Sequence, residues 1–156
     1  MMFSTKAEYG VRVMAHLARQ ASGRDGDAVA GAHPISLGSI ADAEGLPLAY
    51  LEHLVQRLRK AELVASTRGA HGGYTLARAA EDITMAEVVA ALEGEIAPIE
   101  CITADADGVL TCSREGSEPC PTKLLWTRVQ GSIVRTLNDM TLDDLVQPLR
   151  KATTSV

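Results

Sequence analysis

Cys101, Cys112 and Cys120 stand in one stretch of the chain, in the pattern Cys-x10-Cys-x7-Cys. Thiolates are soft ligands suited to iron–sulfur clusters and to zinc. Structural zinc more commonly uses closer pairs such as Cys-x2-Cys, so zinc is less favoured but stays open. Three reduced, unligated thiols are the other alternative. An odd number of cysteines in a reducing compartment argues against a disulfide framework. Residues 104–108 are small and acidic (ADADG), able to wrap around a cluster and offer it backbone amides.

A second group of residues carries different chemistry. Leu48, Leu51, Leu54, Val55 and Leu58 recur at spacings of three and four, the mark of an amphipathic helix. Away from that stripe lie Ala49, Tyr50, Glu52, His53, Gln56 and Arg57, followed by Arg59 and Lys60. This is what a recognition helix needs in a major groove: polar tips that read base edges, and cations for phosphate. Glu52 can accept from cytosine, Arg57 and Lys60 suit phosphate, and Ala49 allows close approach. Shortly after comes Arg68-Gly69-Ala70-His71-Gly72-Gly73-Tyr74. There Arg68, Gly69, His71 and Gly72 form a thin, arginine-bearing tip of the kind that enters a minor groove.

The elements that must position these groups are legible in outline. Residues 5–20 read as a first helix, with Ser4 or Thr5 as cap. Residues 22–33 read as a Gly/Asp-rich loop. Ser36 caps a short helix over 37–44, Gly45 ends it, and Pro47 opens the helix over 47–61. Two helices joined by a tight glycine turn make a helix-turn-helix. Strands over 63–67 and 74–77, around the glycine-rich turn, make a hairpin in the position of a wing. Without that hairpin, an ordinary three-helix packing unit would be an equal rival. Thr84 and Glu87 form a capping box for a helix over 83–92, ended by Gly94. Residues 95–120 read as a long connection holding all three cysteines. Pro121 opens a long amphipathic helix to about residue 138, with Leu124, Leu125, Val129, Ile133, Val134 and Leu137 inward. Thr141 caps a short helix over 142–146, and a frayed tail follows from 151.

The expected fold class is mostly α with a small β-hairpin wing: a winged helix-turn-helix plus a long C-terminal dimerisation helix. The expected division is a DNA-binding domain over 1–80, a linking helix and cysteine-containing sensor loop over 81–120, and dimerisation and C-terminal helices over 121–156.

Composition narrows the function classes. The 156 residues are 46% hydrophobic and only 3% aromatic, so the core is aliphatic. No apolar run approaches the roughly 20 residues of a membrane span. Charges run through the first twenty residues, so no signal peptide is expected and the protein is placed in the cytoplasm. The net charge of −5 is unevenly spread. Residues 1–80 carry nine Lys/Arg against seven Asp/Glu, and the remainder six against thirteen. The local field decides nucleic-acid binding more than the total does. No Ser/His/Asp order, phosphate loop or paired carboxylates suggest an enzyme.

Several segments together resemble the IscR/NsrR-type (Rrf-type) family of bacterial winged helix-turn-helix iron–sulfur transcription regulators. They are Ser4-Thr5-Lys6-Ala7-Glu8-Tyr9, Ile40-Ala41, Tyr50-Leu51-Glu52, Leu58-Arg59-Lys60-Ala61-Glu62-Leu63-Val64 and the Arg68–Tyr74 wing. Ile83-Thr84, Cys120-Pro121 before Trp126, and Met140-Thr141-Leu142 are similar as well. The resemblance implies a homodimer on a pseudo-palindromic double-stranded DNA operator, expected to act as a repressor. It also implies an iron–sulfur, redox or nitric oxide sensor whose cluster, [2Fe-2S] favoured and [4Fe-4S] open, is held by Cys101, Cys112 and Cys120. The wider cysteine spacing here than in the closest-spaced members leaves the cluster type open. Some relatives take a fourth ligand from a His just after the last cysteine, but here Pro121, Thr122 and Lys123 follow. Others use an acidic residue of the partner's first helix, which Glu8 matches. The His that some carry one turn later is here Arg12, and His16 and His33 are outside candidates. The alternative is a regulator of the same fold that senses by thiol oxidation or a small metabolite, without metal.

Overall fold

A computed structural model describes residues 3–21, 33–97, 99, 101–104, 110–113 and 120–147. The chain runs α1 (Thr5–Ala21), α2 (Leu37–Glu44), α3 (Leu48–Lys60), β1 (Val64–Thr67), β2 (Gly73–Leu76), α4 (Met85–Glu93), β3 (Ile102–Ala104), β4 (Leu110–Cys112) and α5 (Lys123–Asp139). A sixth helix, α6, covers residues 142–147. The loop expected before residue 33 and the tail from 151 lie outside the described residues.

The helix-turn-helix forms for local reasons. The Ser36 side chain accepts from Ser39 N at the start of α2, and Gly45 ends that helix at φ 66°. This left-handed conformation favours a residue without a Cβ. Pro47 takes the cap position before α3 rather than its first turn. Leu48, expected on the apolar stripe, is exposed, while Leu46 just upstream is buried in its place. At the helix entrance Leu48 lies outside the arc set by Leu51, Leu54, Val55 and Leu58, all essentially inaccessible.

The core is one aliphatic cluster joining α1, α2, α3, β1, α4 and α6, with Met14, Ile40, Leu54, Ile83, Leu92 and Leu142 at its heart. Thr84 caps α4 with the full reciprocal box to Glu87. Thr141 and Asp144 do the same for α6. α6 is stitched to the entrance of α4 by Leu142 N donating to Ile83 O and Met85 N donating to Met140 O.

β1 and β2 pair antiparallel, Val64 opposite Leu76 and Thr67 opposite Gly73. An anchor not expected from the sequence fixes this hairpin. Ile35 N donates to Tyr74 O, and Tyr74 N donates to Ile35 O. At Gly73 a Cβ would overlap the Ile35 backbone, so glycine is required by this close approach.

The expected structureless connection over 95–120 is corrected. Its described part contains a second antiparallel ribbon, pairing Ile102 with Cys112 and Ala104 with Leu110. Ile102 is fully buried, and β3 packs against α5. α5 itself buries Gln130, while Leu124 and Leu125, expected to point inward, are 63% and 56% exposed in the single chain.

Candidate functional site

At 3.6 residues per turn, positions 49, 53, 56 and 60 fall on the centre of the outer face of α3. Ala49, Glu52, His53, Gln56, Arg59 and Lys60 are all exposed there. Tyr50 and Arg57, seven residues apart, share one flank and are engaged by neighbours. The Tyr50 ring meets Tyr9 edge to face, with centroids 5.7 Å apart. Arg57 Nη1 donates to Leu92 O at 3.0 Å. Lys6 of α1 joins Tyr50, His53, Gln56, Arg57 and Lys60 along a shallow groove. Lys6 was missed in the sequence because it sits more than forty residues away from α3.

The wing projects. Residues 65–71, including Arg68, Gly69 and His71, are exposed, and Gly72 is half-buried. Gly72 N donates to Gly69 O at 3.0 Å and closes the tip. Gly69 has φ 114°. A Cβ at Gly72 would overlap the Thr67 carbonyl. These glycines therefore make the turn, besides allowing close approach of their amides to a backbone.

The cysteines are brought together in part. Cys112 is buried on β4, and Cys101 and Cys120 are half-buried. Ser113 N donates to Cys101 O, which places Cys101 across the end of the ribbon from Cys112. The Cys120 Sγ lies 3.4 Å from Thr122 Oγ1. Hydrogen bonds from the Thr122 side chain and backbone hold the Cys120 thiol below its usual range, aided by Lys123 N and Cys112. Among the described residues, no three His, Cys, Asp or Glu side chains converge as a ready-made metal nest. The donor set nonetheless fits an iron–sulfur cluster in kind: three free thiols at one ribbon and the turn into α5. Residues 105–109, expected to wrap such a group, lie outside the described residues.

Glu8 stands apart from this group. It is exposed on α1 and pairs with Arg12 at 2.8 Å, both side chains about half accessible. Such a surface pair is worth about 0–1 kcal/mol, so it is easily exchanged for another partner. His16 is bound to Glu44 at 2.9 Å, and Arg19 meets the same carboxylate at 2.7 Å, an arrangement that ties α1 to α2. His33 is exposed.

The carboxylate that governs the start of α1 is Glu93, not Glu8. Glu93 accepts from Ser4 N, Ser4 Oγ and Ala7 N, and lies 3.5 Å from Lys6 Nζ. Burial opposes its ionisation. The Ser4 hydrogen bonds, the Lys6 charge and Ala7 N outweigh that and hold it below the ordinary carboxylate range. A carboxylate with a folded-state pKa below its unfolded one adds stability above the unfolded value, and that stability drains as pH falls toward the folded one. Glu93→Gln is expected to cost about 1.5–3 kcal/mol at neutral pH and to flatten the acid limb of stability below about pH 4.5. Urea midpoints of both proteins between pH 7 and pH 3 test this. Parallel acid limbs would show that Glu93 titrates normally.

Comparisons with known proteins agree with the fold. The model of the Rrf2 family, described as an iron-dependent transcriptional regulator, matches residues 3–148. Protein rrf2 of Nitratidesulfovibrio vulgaris is 38% identical over 147 residues, covering 94% of this chain and 88% of that protein. The structure of CymR, the global cysteine regulator of Bacillus subtilis, superposes with TM-score 0.71 at 38% identity, over 93% of this chain and 95% of that one. The IscR of T. potens superposes with TM-score 0.73 at 36% identity, over 97% and 90%. Family and relatives are transcription regulators rather than enzymes, and their architecture is the winged helix found here. Among the described residues no helix is long and apolar enough to cross a membrane. The chain belongs to the Rrf2 family of DNA-binding transcription regulators.

Proposed function

We propose that the protein acts as a homodimer on a pseudo-palindromic operator, expected to repress, and that the state of its three cysteines sets its affinity for that duplex. The observation that carries this reading is the placement of the thiols. Cys112 is buried on β4, Cys101 stands next to its pairing partner Ile102, and Cys120 lies three residues before α5, the helix that exposes Leu124 and Leu125. Apolar side chains that size on one helix face favour pairing with the same face of a second chain. A twofold pair presents two recognition helices and two wings to half-sites a helical turn, or a multiple of one, apart.

In this reading Ala49, Glu52, His53, Gln56, Arg59 and Lys60 enter the major groove or meet its phosphates, while Arg68, Gly69, His71 and Gly72 meet the minor groove. Cys101, Cys112 and Cys120 hold an iron–sulfur cluster, [2Fe-2S] favoured, with Glu8 of the second chain as the fourth ligand. When bound, the cluster supplies a redox- and nitric-oxide-sensitive centre. The protein's own part is mechanical. Thiolates of the ribbon and a carboxylate of the partner's α1 hold the two heads at one separation. Release of those ligands shifts the population of head spacings, to the extent that the two states differ in ligand affinity. The intrachain Glu8–Arg12 pair uses one oxygen of that carboxylate and leaves the other for the proposed head-to-ribbon tie.

Iron and acid-labile sulfide, measured per chain on anaerobically purified protein, test the reading. Both are expected near the stoichiometry of one cluster per chain. Their absence from protein that still binds a duplex would favour the alternative, sensing by thiol oxidation or a small metabolite. That alternative draws support from the lowered pKa of the half-buried Cys120 thiol and from the similarity to CymR, of which an oxidized form from Staphylococcus aureus is known.

A further inference from the structure

Arg57 belongs by charge and position to the set of cations that a duplex would meet. Its surroundings say otherwise. It sits on the flank of α3 that also carries Tyr50, and although the residue is exposed, its guanidinium is turned to the end of α4. Its Nη1 donates at 3.0 Å to the carbonyl of Leu92 in the last turn of α4, one of the carbonyls a helix end leaves without an intrahelical partner. A cation at a helix C-terminus also meets the negative end of the macrodipole.

That end of α4 is tied to several elements. The Leu92 side chain is fully buried beneath Gly10 of α1, where a Cβ would overlap it. Glu93 caps α1. Ile96 O, three residues on, accepts from Nε2 of buried Gln130 of α5. Among the described residues the Gln130 Oε1 has no hydrogen-bond partner, so its amide is held there through Nε2. Hydrogen bonds at Leu92, Glu93 and Ile96 thus tie the end of α4 and the residues just after it to α3, α1 and α5.

We infer that Arg57 is a positioning residue: it locks the angle of the recognition helix to the end of α4 and contributes sequence discrimination rather than phosphate attraction. The inference rests on the DNA-binding face assigned above. Because the same turn leads through Ile96 to the cysteine ribbon, Arg57 is also the point at which movement of that segment reaches α3.

Removing a phosphate contact weakens binding to all sequences alike and lowers the slope of log K against log salt by about 0.9. Removing a positioning residue does neither. The experiment compares full-length wild type, Arg57→Gln and Lys60→Gln on two probes: a duplex selected from a random library by the wild type, and a scrambled duplex of equal length. Circular dichroism confirms that each variant is folded. For Arg57→Gln the expected result is affinity about tenfold lower on the selected duplex, unchanged on the scrambled one, with the salt slope of the wild type. Lys60→Gln is expected to weaken both probes and lower the slope. A lowered slope for Arg57→Gln would overturn the inference and leave the binding face standing. Unchanged slopes and affinities in both variants would remove the binding face, and the inference with it.

Discussion

Replacing Arg68 with alanine is expected to weaken duplex affinity about ten- to hundredfold, while the visible spectrum of the anaerobic protein stays as it was. The magnitude is that of one well-placed arginine contact, about 1–3 kcal/mol, at 1.4 kcal/mol per factor of ten. The geometry supports the upper part of that range. Arg68 is exposed at a tip built from Gly69 and Gly72, and the tip is closed by its own hydrogen bond. The hairpin is pinned close to its turn by the two hydrogen bonds between Tyr74 and Ile35, so little ordering remains to be done on binding. Arg68 makes no core contact, so its removal leaves stability within about 0.5 kcal/mol, as for surface substitutions in general. Fluorescence anisotropy with a selected duplex measures the affinity. An unaltered Kd would mean that the wing does not touch DNA.

The second large effect concerns Cys112. Cys112→Ala is expected to abolish visible absorbance, and iron and sulfide with it, in protein purified without oxygen. Cys112 is the central thiol. It pairs across the ribbon with Ile102, and its neighbour Ser113 donates to the carbonyl of Cys101. Loss of that donor leaves two thiols too few in number for a cluster normally held by four ligands. The residue is buried but small, and its truncation costs about 1 kcal/mol, so the variant remains folded. Persisting colour would show that the cysteines are not the ligands. A colourless wild type and a colourless variant that both respond to peroxide would point to thiol oxidation instead.

Much of the fold was readable because its signals are local. Ser36, Gly45 and the Thr84–Glu87 box each act within a few residues, and each does what its type and spacing require. The wing was readable because glycine-rich turns between short β-prone runs have few other uses. What escaped the sequence depends on residues far apart in the chain. Glu93 caps a helix that begins 89 positions earlier, as its bond to Ser4 shows. Ile35 adds a bridge to a hairpin nearly forty residues on. The ribbon of β3 and β4 has three residues per strand, too few to establish an alternation. The outer face of α3 was legible, yet periodicity could not separate its centre from its flank. Only the packing of Tyr9 and Leu92 against Tyr50 and Arg57 does that. The cysteine grouping was visible as spacing, and the placing of Cys101 and Cys112 at one end of an antiparallel pair required the ribbon.

The coupling between thiols and duplex affinity is tested most directly by one titration. Wild type and Cys112→Ala, both purified anaerobically, are titrated against the same duplex selected by the wild type, at one fixed salt concentration. The expected result is a difference in Kd of about tenfold or more, a coupling of about 1.4 kcal/mol, within the ordinary range for two linked sites. Equal Kd values in folded proteins that differ in iron content would contradict it: the cysteine ribbon would then have no hold on the DNA-binding heads.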